Sequence, residues 1–530
     1  MPRPVPAMTP VIRGLVWLLC AALLTLPAIA WGQDTPRRGG EIRVATYGDP
    51  GTLDPHITTD VPALRIRNQI CETLITWDAQ TKEAPMLADS WENSADGTVW
   101  TFKLRRGVKF HGGQPLRAAD VKYSFERILK VSPRKTDYHM IKEIRTPDDS
   151  TVQFVLSARS NAFFPALAMY WTQIVEASST EKQVRETGGV ATPNCTGPFK
   201  VAEYRRGQSL RLVRHDAYVP RPEKPSGTAG ARVAYADGIT FTFIPDANVR
   251  LLSLQQGEVH YIERVLPEQV EQLRKLPGVE VVAIAGTQWT AIYFNFTKGW
   301  GQKKEFRQAV ALSLNYEELN RAVFYGTGKA NNSMIPESQA IWRTREHARM
   351  HPYDVEKAKA LLKQIGYNGE PIDMPIPKET VSDLFGQSMQ AQLAKAGINL
   401  KISYMDQAAQ LDLVYSRRRN QPPPWDLAFL AGSAFRPDPD QHYYTRAHTS
   451  AHVGMYSNPA YDKLVEEARR ETSFEKRKAL YAQAQTMIMD EIPLIVIGNS
   501  PYIEAYSKKL RGIEVRDPHF DYFWNVWLAR

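Results

Sequence analysis

The sequence predicts a mixed α/β fold, on three observations. Short runs with a period of two recur along the chain, longer runs with a helical period lie between them, and helix caps stand where those longer runs begin and end. Among the strands, Trp100, Phe102 and Leu104 alternate with Thr101, Lys103 and Arg105. Val152, Phe154 and Leu156 repeat the pattern, followed by Ile239, Phe241 and Phe243, and then Ile292, Phe294 and Phe296. Aromatic and β-branched residues at every second position describe half-buried strands. Among the helices, Val121, Phe125, Ile128 and Leu129 share one face, and so do Val355, Ala358, Leu361, Leu362 and Ile365. Asp354 is placed to cap the second of these, and Gly366 to end it in a left-handed turn. Asn458-Pro459 opens a further helix as N-cap and first residue, and Ser473 opens the next. The Pro- and Gly-rich stretch from Pro220 to Gly230 reads as an exposed loop between strands.

The N-terminus carries an export signal. Arg3 and Arg13 precede an apolar run from Gly14 to Trp31 that ends in Ala28-Ile29-Ala30, so residues 1–32 are expected to be a secretory signal peptide, with cleavage after Ala30 or Gly32. Leu19 before Cys20, and the apolar run beyond it, do not suit a lipoprotein site. The remaining chain of roughly 500 residues suffices for two or three domains and has no later apolar stretch of spanning length. Cys71 and Cys195 are its two cysteines, and whether they pair is left open by spacing alone. The net charge of +9 is spread along the chain, and Arg417-Arg418-Arg419 lacks the interleaved aromatics of a nucleic-acid groove.

The chain has no Gly-x-Ser-x-Gly elbow and no His-Glu-x-x-His helix, and Gly326-Thr327-Gly328-Lys329-Ala330 lacks the spacing of a phosphate loop. His442, His448 and His452 form a cluster, with His448 and His452 four apart; a solvated loop is the expected reading, ahead of a metal site. No cofactor is expected, and the protein is expected not to be an enzyme.

Several ordered motifs then carry a resemblance. Arg38-Gly39-Gly40-Glu41-Ile42-Arg43-Val44-Ala45 is followed by Leu53-Asp54-Pro55, and Val108-Lys109-Phe110-His111-Gly112-Gly113 by Ala119-Asp120-Val121. Further on stand Thr196-Gly197-Pro198-Phe199, Arg307-Gln308-Ala309-Val310 and Tyr456-Ser457-Asn458-Pro459. In this order and spacing the chain resembles the extracellular solute-binding proteins of family 5, which serve oligopeptide, dipeptide, nickel and opine importers. The resemblance implies a periplasmic clamshell of two lobes joined by crossing strands. Lobe I would take residues 39–76, 196–286 and 496–530, lobe II residues 287–495, and an extra small domain residues 77–195. It implies capture of a peptide or other small organic solute by hinge closure, and delivery to an ABC permease and its ATPase, by a protein acting as a monomer without nucleic acid. The alternatives are a nickel or metal-chelate binder, an exported hydrolase, and a receptor without transport.

The resemblance places the ligand between the lobes, against Tyr47, Trp289, Tyr293, Phe435, Arg436, Asp438 and Asp440. In the peptide-binding branch an aspartate just before an acidic-Pro pair grips the peptide's amino group. With Asp438-Pro439 set on that pair, Phe435 stands in the aspartate's place, and a phenyl ring makes no charge-assisted hydrogen bond. Arg436 beside it suits an anion. Arg117 also departs from the pattern, standing where a Ser or Thr commonly caps a helix, and Pro220 to Gly230 is longer than the usual connection.

Overall fold

A computed structural model describes residues 35–378, 380–415, 423–430, 438–451, 454–514 and 522–529. The expected signal peptide, Phe435, Arg436 and His452 lie outside the described residues. The framework is a nine-stranded mixed sheet. Its order runs Leu427–Leu430, Val279–Phe294, Leu494–Ser507, Tyr261–Ile262, Glu41–Thr46, Gly238–Phe243, Ser209–Arg214, Phe199–Arg205, with Lys329–Ala330 added against Leu494–Ser507. Glu41–Thr46 runs parallel to both of its neighbours, and the hairpin from Phe199 to Arg214 extends the sheet on that side.

Two long antiparallel strands, Val279–Phe294 and Leu494–Ser507, tie the halves of the molecule together. Their register shifts twice, between Ala285 and Trp289 and between Thr290 and Ala291. At one end Val281 and Ala283 pack on a core with Leu251, Leu254 and Ile503. At the other, Ile292 and Phe294 belong to a core with Phe306, Leu319, Phe385 and Ile497. Irregularities of this kind bend a strand and raise its twist, which suits a segment passing from one core to another.

The strands read from period-two runs form where expected. Val99–Leu104 and Thr151–Leu156 lie in a separate four-stranded sheet, of order Ala88–Asn93, Val99–Leu104, Thr151–Leu156, Ile141–Asp148. Helix Ala118–Val131 covers it with the face that holds Val121, Phe125 and Ile128. The Phe125 and Phe154 rings meet edge to face at 4.9 Å, and each buried ring contributes roughly 1.5–3 kcal/mol of hydrophobic stabilisation. Asp354 accepts from Lys357 N at 2.9 Å and Gly366 ends its helix at φ 77°. Asn458 and Ser473 cap the helices Pro459–Arg470 and Phe474–Glu491. At Arg117 the side chain makes no capping bond: the Asp120 backbone N–H reaches Arg117 O at 3.0 Å, and the Asp120 carboxylate accepts the Arg117 backbone N–H at 2.9 Å.

Cys71 and Cys195 form a disulfide that ties the end of helix Val61–Ile70 to the segment before strand Phe199–Arg205. The stretch from Pro220 to Gly230 is exposed only in part. Arg221 is buried, bonded to Met86 O and Asp89, and Thr228, Ala229 and Gly230 are buried as well. Gly227 lies so close to Asp78 that a Cβ would sit 2.6 Å from its carbonyl carbon. The loop is therefore a brace under residues 76–79, anchored by Thr228 Oγ1 on Thr76 Oγ1 at 2.5 Å and on Trp77 O at 2.9 Å. The segment holding His442, read as a loop, is instead helix Asp440–Ala447, because Asp438 accepts the Asp440 N–H at its start.

Candidate ligand cleft

The crossing strand Val279–Phe294 carries Trp289 and Tyr293. Trp289 stands opposite Asn499 at the register shift and is 2 % exposed. Its indole N–H donates to His442 Nδ1 at 3.4 Å, and the Arg446 guanidinium lies 5.8 Å from its ring. Helix Asp440–Ala447 thus delivers His442 and Arg446 to the same ring, four residues apart on one face. Tyr293 is packed in the same core as Trp289, with Trp425, Tyr443 and Leu494. On strand Val279–Phe294 the period-two pattern puts Trp289, Ala291 and Tyr293 in that one core.

Tyr47 follows the strand Glu41–Thr46 and rests on a buried charge network. Its backbone N–H donates to Glu263 Oε1 at 2.7 Å, and Arg264, held at φ 48°, lies over its ring at 4.0 Å. Burial raises the Tyr47 phenol above its ordinary pKa. Arg65 joins Glu263 and Glu504, the latter at 3.2 Å, and Glu504 belongs to the crossing strand Leu494–Ser507. This network ties the base of the Tyr47 loop to the strand pair that reaches the other half.

The second region is a cavity of about 760 Å³. One wall comes from residues 77–83 and from Trp100, Asn161, Phe164 and Pro165; the other comes from Ile341, Trp342, Asp438 and the start of helix Phe474–Glu491. The rings are ordered in pairs. Trp100 stacks on Phe164 at 4.7 Å and 10°, and Trp342 packs on Phe474 at 4.7 Å. Phe474 is 42 % exposed, a large ring left open at a cavity wall. Trp77, 5 % exposed, is set by the hairpin of Ile75–Trp77 with Glu83–Pro85 and by Thr228 behind it. The two walls touch where Asn161 bonds the Arg469 and Glu471 carbonyls.

Asp438 lines this cavity, but its carboxylate is committed. Both oxygens accept from Arg477, at 2.6 and 2.7 Å, and Oδ1 also caps the Asp440 N–H. Arg477 donates further to Ala468 O at 2.9 Å. Asp440 is buried beside Arg469 at 3.1 Å, and burial raises its carboxyl to about 6. Both carboxylates thus already hold cationic partners, Asp438 with Arg477 and Asp440 with Arg469. His448 sits by Glu466 at 3.4 Å and Asp462 at 3.8 Å. Among the described residues, no three His, Cys, Asp or Glu side chains are grouped to hold a metal ion, and no helix is long and apolar enough to cross a membrane.

The cavity was invisible to sequence reading. Trp77 and Glu83, on one hairpin, lie far in the chain from Trp342 and from Phe474, and the four share no motif. Their signal, a high count of aromatics, is the same signal an ordinary core gives.

The comparisons with known proteins agree with this architecture. The model of the bacterial extracellular solute-binding proteins, family 5 middle region, matches residues 82–452. A dipeptide-binding protein of Escherichia coli strain K12 is 27 % identical over 518 residues, covering 90 % of this chain and 93 % of the relative. A di/tripeptide-binding protein 1 of Pseudomonas aeruginosa is 29 % identical, covering 91 % and 93 %. Among solved structures, the ABC transporter-associated periplasmic binding protein DppA of Helicobacter pylori, in complex with the peptide STSA, superposes with a TM-score of 0.77 at 26 % identity, over 93 % of this chain and 99 % of that one. With the family model spanning well over half its length, this chain belongs to the bacterial extracellular solute-binding proteins of family 5.

Proposed function

We propose that the protein is the periplasmic solute-binding component of an ABC importer, exported by removal of residues 1–32 and acting as a monomer. It captures a short peptide or other small organic solute and delivers it to a membrane permease and ATPase. The observation that carries this reading is the 760 Å³ cavity walled from two sides by separate parts of the chain. A solute there contacts both walls only when they are close, so binding favours the closed form by its differential affinity. Lobe I (39–76, 196–286, 496–530), the extra domain (77–195) and lobe II (287–495) are the proposed moving parts, with Tyr47 and Trp289 on the crossing-strand side. The relatives named for dipeptides and di/tripeptides support a peptide as the default ligand.

No bond need be made or broken for this function, and the reading is that of a binding protein, not an enzyme. Native mass spectrometry of freshly purified protein tests it. The expected result is a retained small solute, released unchanged on denaturation. New product masses after incubation with peptides, esters or glycosides would overturn the non-enzymatic reading.

A further inference from the structure

The charges that line the cavity are not all spent. Asp438 is neutralised by Arg477. Glu83, on the opposite wall, makes no ion pair among the described residues, and neither do Lys82 and Lys478. Lys82 is exposed and Lys478 half-buried, its ammonium 5.9 Å from the Phe474 ring. Glu83, like Lys478, is half-buried, and its carboxyl is raised to about 7, first by burial and then by the nearby Asp438, against a hydrogen bond from its own backbone N–H. Arg477 and Lys82 act the other way, and Glu471 and Lys478 complete the charged groups along the same walls. A carboxylate set among Trp77, Trp100, Trp342 and Phe474 suits one kind of guest: a cation, held by charge and by the faces of rings.

We propose that Glu83 receives the ammonium of a short zwitterionic peptide with an aromatic side chain, which stacks on the Trp100 and Trp342 walls while its carboxylate is drawn to Lys82 and Lys478. The proposal rests on the solute-binding reading and deepens it. It also answers the departure at Phe435, since amine recognition then does not depend on that position. The brace of Thr228 on Thr76 and Trp77 gives that wall a fixed position.

The test is calorimetric titration of the full mature protein and its Glu83→Gln variant with three probes: Phe-Leu, N-acetyl-Phe-Leu and Phe-Leu amide. Wild type is expected to bind Phe-Leu at least tenfold more tightly than the acetylated form, and to bind it more weakly at pH 6 than at pH 8. Glu83→Gln is expected to lose tenfold or more for Phe-Leu and little for the acetylated form, with its melting curve showing a folded protein. Phe474→Ala is expected to weaken all three probes. Undiminished affinity of Glu83→Gln for Phe-Leu, or equal wild-type affinity for free and acetylated peptide, overturns the assignment of Glu83. If wild type binds none of the three yet retains another solute in native mass spectrometry, the peptide class is overturned and the importer reading stands. Failure to bind any solute would instead sink that reading.

Discussion

Asp438 and Arg477 form a two-pronged ion pair, at 2.6 and 2.7 Å, in which the carboxylate is 2 % exposed. The pair links the start of helix Asp440–Ala447 to helix Phe474–Glu491. Breaking a buried pair of this kind leaves a charge without compensation, at a cost of about 3–5 kcal/mol. Asp438→Ala is accordingly expected to lower stability by that amount in chemical denaturation. A loss below about 1 kcal/mol, with affinity strongly reduced, would instead support a direct ligand role for Asp438.

Phe474 offers the opposite balance. It is 42 % exposed and packs on Trp342 at the cavity wall. Phe474→Ala should change stability by less than about 1 kcal/mol, yet weaken ligand binding about tenfold by calorimetry. The reverse pattern would make the ring a core residue.

Glu83 should leave a mark on stability as well as binding. Its carboxyl is raised from 4.5 to about 7 in the folded protein. Between those values the folded form binds more protons than the unfolded form, so stability falls as pH rises from about 4.5 through 7. At pH 8 the folded protein carries the full cost of an enclosed carboxylate. Glu83→Gln is therefore expected to stabilise the ligand-free protein by about 2 kcal/mol at pH 8, and by almost nothing at pH 4. Equal effects at both pH values would show that Glu83 is solvated like a surface acid.

The Cys71–Cys195 disulfide closes a loop of 124 residues. On loop-closure grounds its removal should cost about 3–5 kcal/mol. The double variant Cys71→Ser, Cys195→Ser is expected to unfold at lower denaturant than wild type, and a reducing agent should shift wild type but not the variant.

The parts of this fold that were legible in the sequence are those governed by neighbours in the chain. The alternation at Trp100, Phe102 and Leu104 marks a strand because pleating sends every second side chain inward. Asp354, Asn458 and Ser473 cap helices because a short polar side chain reaches only its own first turn. What stayed hidden depends on distant partners. The disulfide needs residues 71 and 195 to meet, which no spacing reveals. Thr228 looked like loop because its partner Thr76 lies far away in sequence. Nor does spacing show that Arg477, from a later helix, bonds both oxygens of Asp438. Likewise Glu83 gained its altered chemistry only from the walls folded around it.

The central claim is that this protein captures a small solute in the cavity between its halves and releases it unaltered. The most direct measurement is titration of the purified mature protein with a library of free-amine di- and tripeptides, followed by chromatographic recovery of each peptide. One-to-one binding of at least one peptide, recovered intact, with affinity lost when Phe474 is replaced by Ala, is the result expected. Recovery of cleaved peptide, or binding wholly indifferent to Phe474 and Glu83, would contradict it.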